Sequence, residues 1–595
     1  EVGPRVSEFV TTVFDYKVGA RGKFGDHLDW DVNAAYGESE NLQSIENYVL
    51  TSRVRAAAYA TNTTTCLSGA PGGSTTPGCV PVNLFGANGS ITPAQAAYLT
   101  ATSTTRVKTS LGQVHAQLSG DFGVTSPAAT DPISFAVGAE YRDYKATQIS
   151  DLLAQTAGEL GGAGGAAPNI NGGYNVKEGF GELVAPLIQD KPGIESLTLE
   201  GGIRYSSYKV NAPNNPSYNT TTYKGGASYE PGFGLKIRGN YSHAVRAPSI
   251  SELFSPSVTG LTNLATDPCA GSAPNTNANL RAVCLAQGAP AGTIGSILNG
   301  TAGQINETSG GNLNVKPETA NTYTLGVVFQ PKFFSGFSTT VDFYHIKVSG
   351  AISQPTPGDV INACFGNITA ASATSTACTI IRRNPVTGGL DGDAATTPGL
   401  PFSLSNIGKI ETQGVDVTFN YSRDVGFAKL GLSFLGNYTD YNRFQASPSS
   451  ANRQCVGYIS TNCGSLQPKF QWTQRTTLSF DSFDVSLLWR HIDKFNQEPL
   501  AISEGSQTAA FVGVDGYGNT VNYGHIKPYD YFDLSTRISV LENLSLTLTA
   551  ENLGDRKPPA VGSTIGSTTF NSGNTFPSTY DALGRRYAVT ARVKF

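Results

Sequence analysis

From Arg586 to the end of the chain the side chains alternate. Tyr587, Val589, Ala591, Val593 and Phe595 fall on one face, and Arg586, Thr590, Arg592 and Lys594 fall on the other. A period of two marks a β-strand with one apolar and one polar face. The same pattern recurs along the chain and predicts seventeen strands. They lie at about residues 6–20, 27–37, 108–122, 133–147, 173–188, 195–209, 219–230, 233–246, 318–330, 335–348, 404–424, 427–443, 467–481, 483–495, 526–540, 542–553 and 585–595. In "FDVSLLWR", Val485, Leu487 and Trp489 oppose Ser486 and Arg490, and in "GVDVTFNYS", Val415, Val417 and Phe419 oppose Asp416, Thr418 and Asn420. A soluble sandwich would give any one of these strands, so no single strand decides the architecture.

The connections decide it. Short ones ("QPKFF", 330–334; "RDVG", 423–426; "DSF", 481–483; "LEN", 541–543) alternate with long ones at 38–107, 149–172, 247–317, 349–403, 444–466, 496–525 and 554–584. Tight turns on one side and large loops on the other are what an antiparallel membrane barrel requires. A sandwich has no reason to sort its loops in this way. The expected fold class is therefore all-β, a transmembrane antiparallel β-barrel. With the last strand running down, strict alternation makes the first of seventeen run down as well, and two such strands cannot close an antiparallel barrel. The chain is expected to begin inside the barrel and to carry seventeen strands of about 22, the size whose lumen holds a plug.

Composition narrows the function. The 595 residues include 67 Gly, 26 Tyr and 29 Phe but only 14% charged residues, and the net charge of −4 speaks against nucleic acid as a partner. No apolar run reaches the roughly 18 residues of a membrane-spanning helix. The cysteines fall into close pairs, Cys66 with Cys79, Cys269 with Cys284, Cys364 with Cys378 and Cys455 with Cys463, all in the long connections. With no CxxC and no His nearby, zinc is a poor reading, and local disulfides of an oxidising compartment fit better.

Residues 241–254, "YSHAVRAPSISELF", and 312–319, "NLNVKPET", resemble two motifs of TonB-dependent outer-membrane receptors that flank one external loop. The matching positions are Arg246, Ala247, Pro248, Asn312, Leu313, Pro317 and Glu318. "IETQGVDVTFNYS" (410–422) is similar to a further family strand with Asp416 in place of Glu, "AENLGDRKPP" (550–559) to the element before the last loop, and Phe595 to the terminal aromatic of such barrels. Together the motifs run in family order over residues 241–595, with looser similarity across the whole chain. The resemblance implies a receptor barrel domain over residues 1–595, with the N-terminal plug and first strands missing. It implies the outer membrane of a Gram-negative bacterium. The implied partners are the TonB complex (through the missing N-terminal region), outer-membrane lipid and a nutrient ligand. Arg246 and Glu318 are placed at neighbouring strand ends, where they pair with each other or with a plug, or stand as two solvated rim charges.

Catalytic chemistry finds no foothold. His27, His115, His243, His345, His491 and His525 form no pair with metal-ligand spacing, no GxSxG elbow is present, and "GGAGG" (161–165) lacks the Lys-Ser/Thr of a phosphate cradle. A non-enzymatic receptor with no cofactor is expected. For a ligand, Tyr441, Arg443 and Phe444, with Tyr438 and Asn442 nearby and Tyr517 and Tyr523 in a later loop, offer aromatic faces beside hydrogen-bond donors. These suit a neutral, hydroxyl-rich solute such as an oligosaccharide, and they suit an aromatic interfacial girdle equally well. The alternatives are a ferric-siderophore receptor, or a passive porin-like or adhesive barrel without a plug.

Overall fold

The computed structural model of the chain describes residues 2–67, 78–163, 165–514, 518–562, 570 and 574–594. Phe595 and Tyr517 lie outside them. One antiparallel sheet of 18 strands dominates, and one of these is the two-residue strand Arg453–Gln454. The long strands are β1 (Val6–Phe24), β2 (Leu28–Val49), β3 (Thr100–Thr125), β4 (Pro132–Ser150), β5 (Ile170–Lys191), β6 (Ile194–Val210), β7 (Ser217–Gly232), β8 (Leu235–Arg246) and β9 (Glu318–Phe329). They continue as β10 (Phe337–Ser353), β11 (Ser405–Asp424), β12 (Lys429–Gln445), β13 (Phe470–Ser479), β14 (Phe483–Ile492), β15 (Tyr529–Leu541), β16 (Leu544–Glu551) and β17 (Arg586–Val593). Each pairs with its sequence neighbours in an unbroken meander. Among the described residues β1 pairs only with β2, and β17 only with β16. No helix among them is long and apolar enough to cross a membrane.

The sorting of connections is the one expected. Residues 25–27, 192–193, 233–234, 480–482 and 542–543 turn tightly at one end. Residues 50–99, 247–317, 354–404, 493–528 and 552–585 loop widely at the other, and only the 211–216 link is short there. One expectation changes. β2 and β3 run well past their predicted ends, because above the apolar stretch they continue as a polar ladder in which Lys108 pairs with Glu38 and Arg106 with Glu40. That ladder has no apolar stripe to read. The long connections also carry short helices, among them Ala278–Ala286 and Pro357–Phe365, which hold Cys284 and Cys364. All four cysteine pairs are disulfides.

The barrel wall inverts the usual distribution of apolar side chains. Tyr323, Leu325 and Val327 on β9 alternate outward and are 52%, 57% and 38% exposed. Ile203 and Tyr205 on β6 and Leu487 and Trp489 on β14 are likewise exposed. An apolar band of this extent belongs against lipid. The buried cores lie instead in the outer loops, around Leu264, Ile305, Ile381, Leu390 and Leu400 and around Ile459, Phe495, Phe576 and Tyr580.

Candidate functional site

The site-forming features are the outer mouth and the inward-facing wall beneath it. Arg246, the last residue of β8, ties the rim together. Its Nε donates to Glu318 Oε1 at 2.7 Å and its Nη2 to Glu318 Oε2 at 3.1 Å, while Nη1 and Nη2 reach Glu252 at 2.9 and 3.0 Å. Glu318 Oε2 also accepts the Ile352 backbone N–H at 2.8 Å, which brings β10 into the clamp. Arg246 and Glu318 thus pair with each other across β8 and β9. Glu252 is the member that sequence reading missed, although "Ser249-x-x-Glu252" is a capping box, and it does cap the short helix Ile250–Phe254. Burial works against the Glu252 carboxylate, yet the Arg246 guanidinium and the Ser249 N–H together hold it below the ordinary range.

The other motif residues are structural in the same region. Pro248 is buried at the point where the chain leaves the sheet, and Ala247 precedes it there, half-buried. Asn312 Nδ2 donates to the Leu404 carbonyl at 3.0 Å, and its backbone N–H donates to the Glu252 carbonyl at 2.7 Å. Leu313 is exposed, with its carbonyl accepting from Tyr218 Oη at 3.5 Å. Lys316 is gripped on both sides by Asn406, so Pro317 leads directly into β9.

Two capping bodies flank the mouth. In one, Val258–Asn263 pairs antiparallel with Gln304–Gly310, which pairs in parallel with Leu400–Ser403, joining loops 247–317 and 354–404. Arg383 crosses between these loops to Asp267, at 2.6 and 2.8 Å, and both side chains are fully buried. In the other body, buried Arg453 contacts Glu498 at 2.5 Å and Glu504 at 2.8 Å. Burial pushes Glu498 above the ordinary carboxylate range despite that arginine.

Below the caps the wall has two faces of different chemistry. On β4 to β7, Arg142 and Arg204 contact Glu178, Arg204 also meets Glu140 at 3.4 Å, and Lys224 meets Glu182 at 3.4 Å. Acid matches base, so this face carries no surplus positive charge. Elsewhere on the inward face, a cavity of about 470 Å³ on β11 to β14 is lined by Thr412, Asn442, Gln467, Gln471, Ser578 and Thr579 among others, none of them charged.

The residues proposed for a ligand separate. Register places Tyr441 and Arg443 on the face of Glu411 and Gln413, which is also that of Val415 and Val417 and points outward. Tyr441 Oη donates to Glu411 and Gln413, both at 3.3 Å, and Arg443 stacks 4.4 Å from the Tyr441 ring. They continue an outward aromatic row through Tyr223, Tyr241 and Tyr323, where an interfacial girdle sits. Phe444 takes the opposite, inward face beside Ile410 and Arg453, and Tyr523 packs into the second cap.

A family model described as "TonB dependent receptor-like, beta-barrel" matches residues 5–553. Among solved structures, a variant of the ferric enterobactin receptor PfeA of Pseudomonas aeruginosa aligns at 14% identity and TM-score 0.52, over 98% of this chain and 62% of that one. The siderophore receptor PirA of Acinetobacter baumannii aligns at 13% and 0.51, over 99% and 63%. The FrpB iron transporter of Neisseria meningitidis aligns at 12% and 0.51, over 98% and 63%. The chain therefore spans less than two thirds of the length of these proteins, and identities this low establish the fold alone. No curated protein sequence matches significantly. The alternating wall, the sorted loops and the family match over nearly the whole chain agree: this chain belongs to the TonB-dependent receptor β-barrel family.

Proposed function

We propose that the chain forms the barrel wall of an outer-membrane receptor that imports a scarce nutrient in a Gram-negative bacterium, with energy delivered through the TonB complex. The family match over residues 5–553 carries this reading. No covalent chemistry is involved. Cargo binds between the loop caps and the inner wall, and work done from the periplasm opens the path. This reading assigns the plug and the TonB-contacting segment to sequence outside the barrel wall; the chain covers 62% and 63% of two of the related receptors.

An iron chelate is the cargo class that the solved relatives support, since they include siderophore receptors. The comparisons lend no support to an oligosaccharide. The wall itself favours cargo without a large negative charge, because its cations are matched by Glu140, Glu178 and Glu182. Gene deletion and expression test the reading together. Deletion should slow growth when the cognate nutrient is limiting, and expression should rise steeply under iron starvation if the cargo is a chelate. Induction by an oligosaccharide alone would reverse the cargo class and leave the receptor in place. A deletion strain that grows like its parent under both limitations would contradict uptake.

A further inference from the structure

We infer that the cavity on β11 to β14 is a subsite for an uncharged, hydroxyl- or amide-rich part of the cargo. The inference rests on the uptake reading above and adds the chemistry of the contact. Register fixes the position. Thr412 lies opposite Asn442, Asn437 lies opposite Gln471, and Gln471 lies opposite Ile492, all on the inward face that also carries Asp416. Ser578 and Thr579 close the cavity from the last outer loop.

Its volume of about 470 Å³ falls within the usual range for small-ligand sites. Two of its polar groups are oriented in advance. Asn442 Nδ2 donates to Gln467 Oε1 at 2.8 Å, which leaves the Gln467 amide N–H and the Asn442 carbonyl oxygen directed elsewhere. The side chains of Gln471 and Ser578 have no hydrogen-bond partner among the described residues and are exposed at the cavity. Leu466 and Ile492 supply an apolar patch beside these donors and acceptors. A hydroxyl or amide entering here exchanges water for fixed amide partners at little cost. A carboxylate or catecholate would lose hydration with no counter-charge in the lining. The chemistry has two sources, a neutral oligosaccharide or the organic shell of a neutral ferric chelate.

The intact receptor, purified in detergent, tests this by titration with three probes: maltotriose, neutral ferric tris(acetohydroxamate), and the trianionic ferric tris-catecholate. Binding of either neutral probe, weakened at least tenfold by Gln471→Leu and by Gln467→Leu, is the expected result, and which probe binds names the source. Heat-modifiable electrophoretic mobility checks that each variant is folded. Binding of the trianion alone, failure of both neutral probes, or equal affinity in both variants overturns the subsite. Because binding to purified protein needs no energy source, its failure is distinguishable from failure of energised uptake.

Discussion

Among the described residues, Arg383 and Asp267 form the most deeply buried ion pair of the outer loops, and their arrangement decides what a mutation does. Removing one partner leaves a charge without water or counter-ion, at about 3–5 kcal/mol. Arg383→Leu should therefore expose loops 247–317 and 354–404 to protease, whereas replacing both partners by apolar residues should cost far less. The rim clamp is half-exposed, so Arg246→Ala should cost only about 1 kcal/mol, read as faster cleavage after β8. Its pH dependence has a definite sign. Glu252 has a lowered folded-state pKa, so its contribution is complete above the unfolded value of about 4.3 and is lost as pH falls through the lower folded one. Rim cleavage should rise only in acid, and Glu252→Gln should abolish that rise. Arg246 with Glu318 was legible because both sit at motif positions beside predicted strand ends. Arg383 with Asp267, more than a hundred residues apart, was not, since nothing local marks a charge that will be buried by two loops folding together.

At the scale of the strand, alternation did most of the predictive work, because one face meets lipid and the other polar groups along every crossing. β9 illustrates it: Leu325 points out and Thr324 in. Leu325→Arg should destabilise by about 2–4 kcal/mol, while Thr324→Arg on the inward face should be nearly neutral. Urea unfolding from lipid vesicles measures the difference, and equal costs would contradict the assigned faces. The same signal failed where polar residues fell on both faces and the few apolar ones formed no alternating stripe, as in the upper parts of β2 and β3. It also placed Tyr441 and Arg443 without saying which face was outward, since an aromatic girdle and a ligand wall read alike. The cavity around Gln471 had no signal at all, because its members come from strands and loops far apart in the sequence. The loops follow different physics. Each disulfide adds roughly 2–3 kcal/mol by restricting the unfolded loop. Mass mapping without reduction should find the four intraloop cross-links, and protease should cut these loops on intact cells only after reduction.

For the whole molecule, the inverted apolar distribution, the unbroken meander and the loop caps describe a membrane-barrel wall whose outer loops fold into packed bodies of their own. A passive barrel would share the strands and the girdle with an energised receptor, so the fold by itself does not separate the two. Energy coupling does. The decisive measurement is accumulation of the labelled cognate nutrient by intact cells carrying the full-length receptor, with and without a protonophore that collapses the inner-membrane gradient. Surface binding that persists while accumulation stops is the predicted result. Accumulation that continues at the same rate after the gradient is gone would contradict energised uptake and identify the protein as a passive pore.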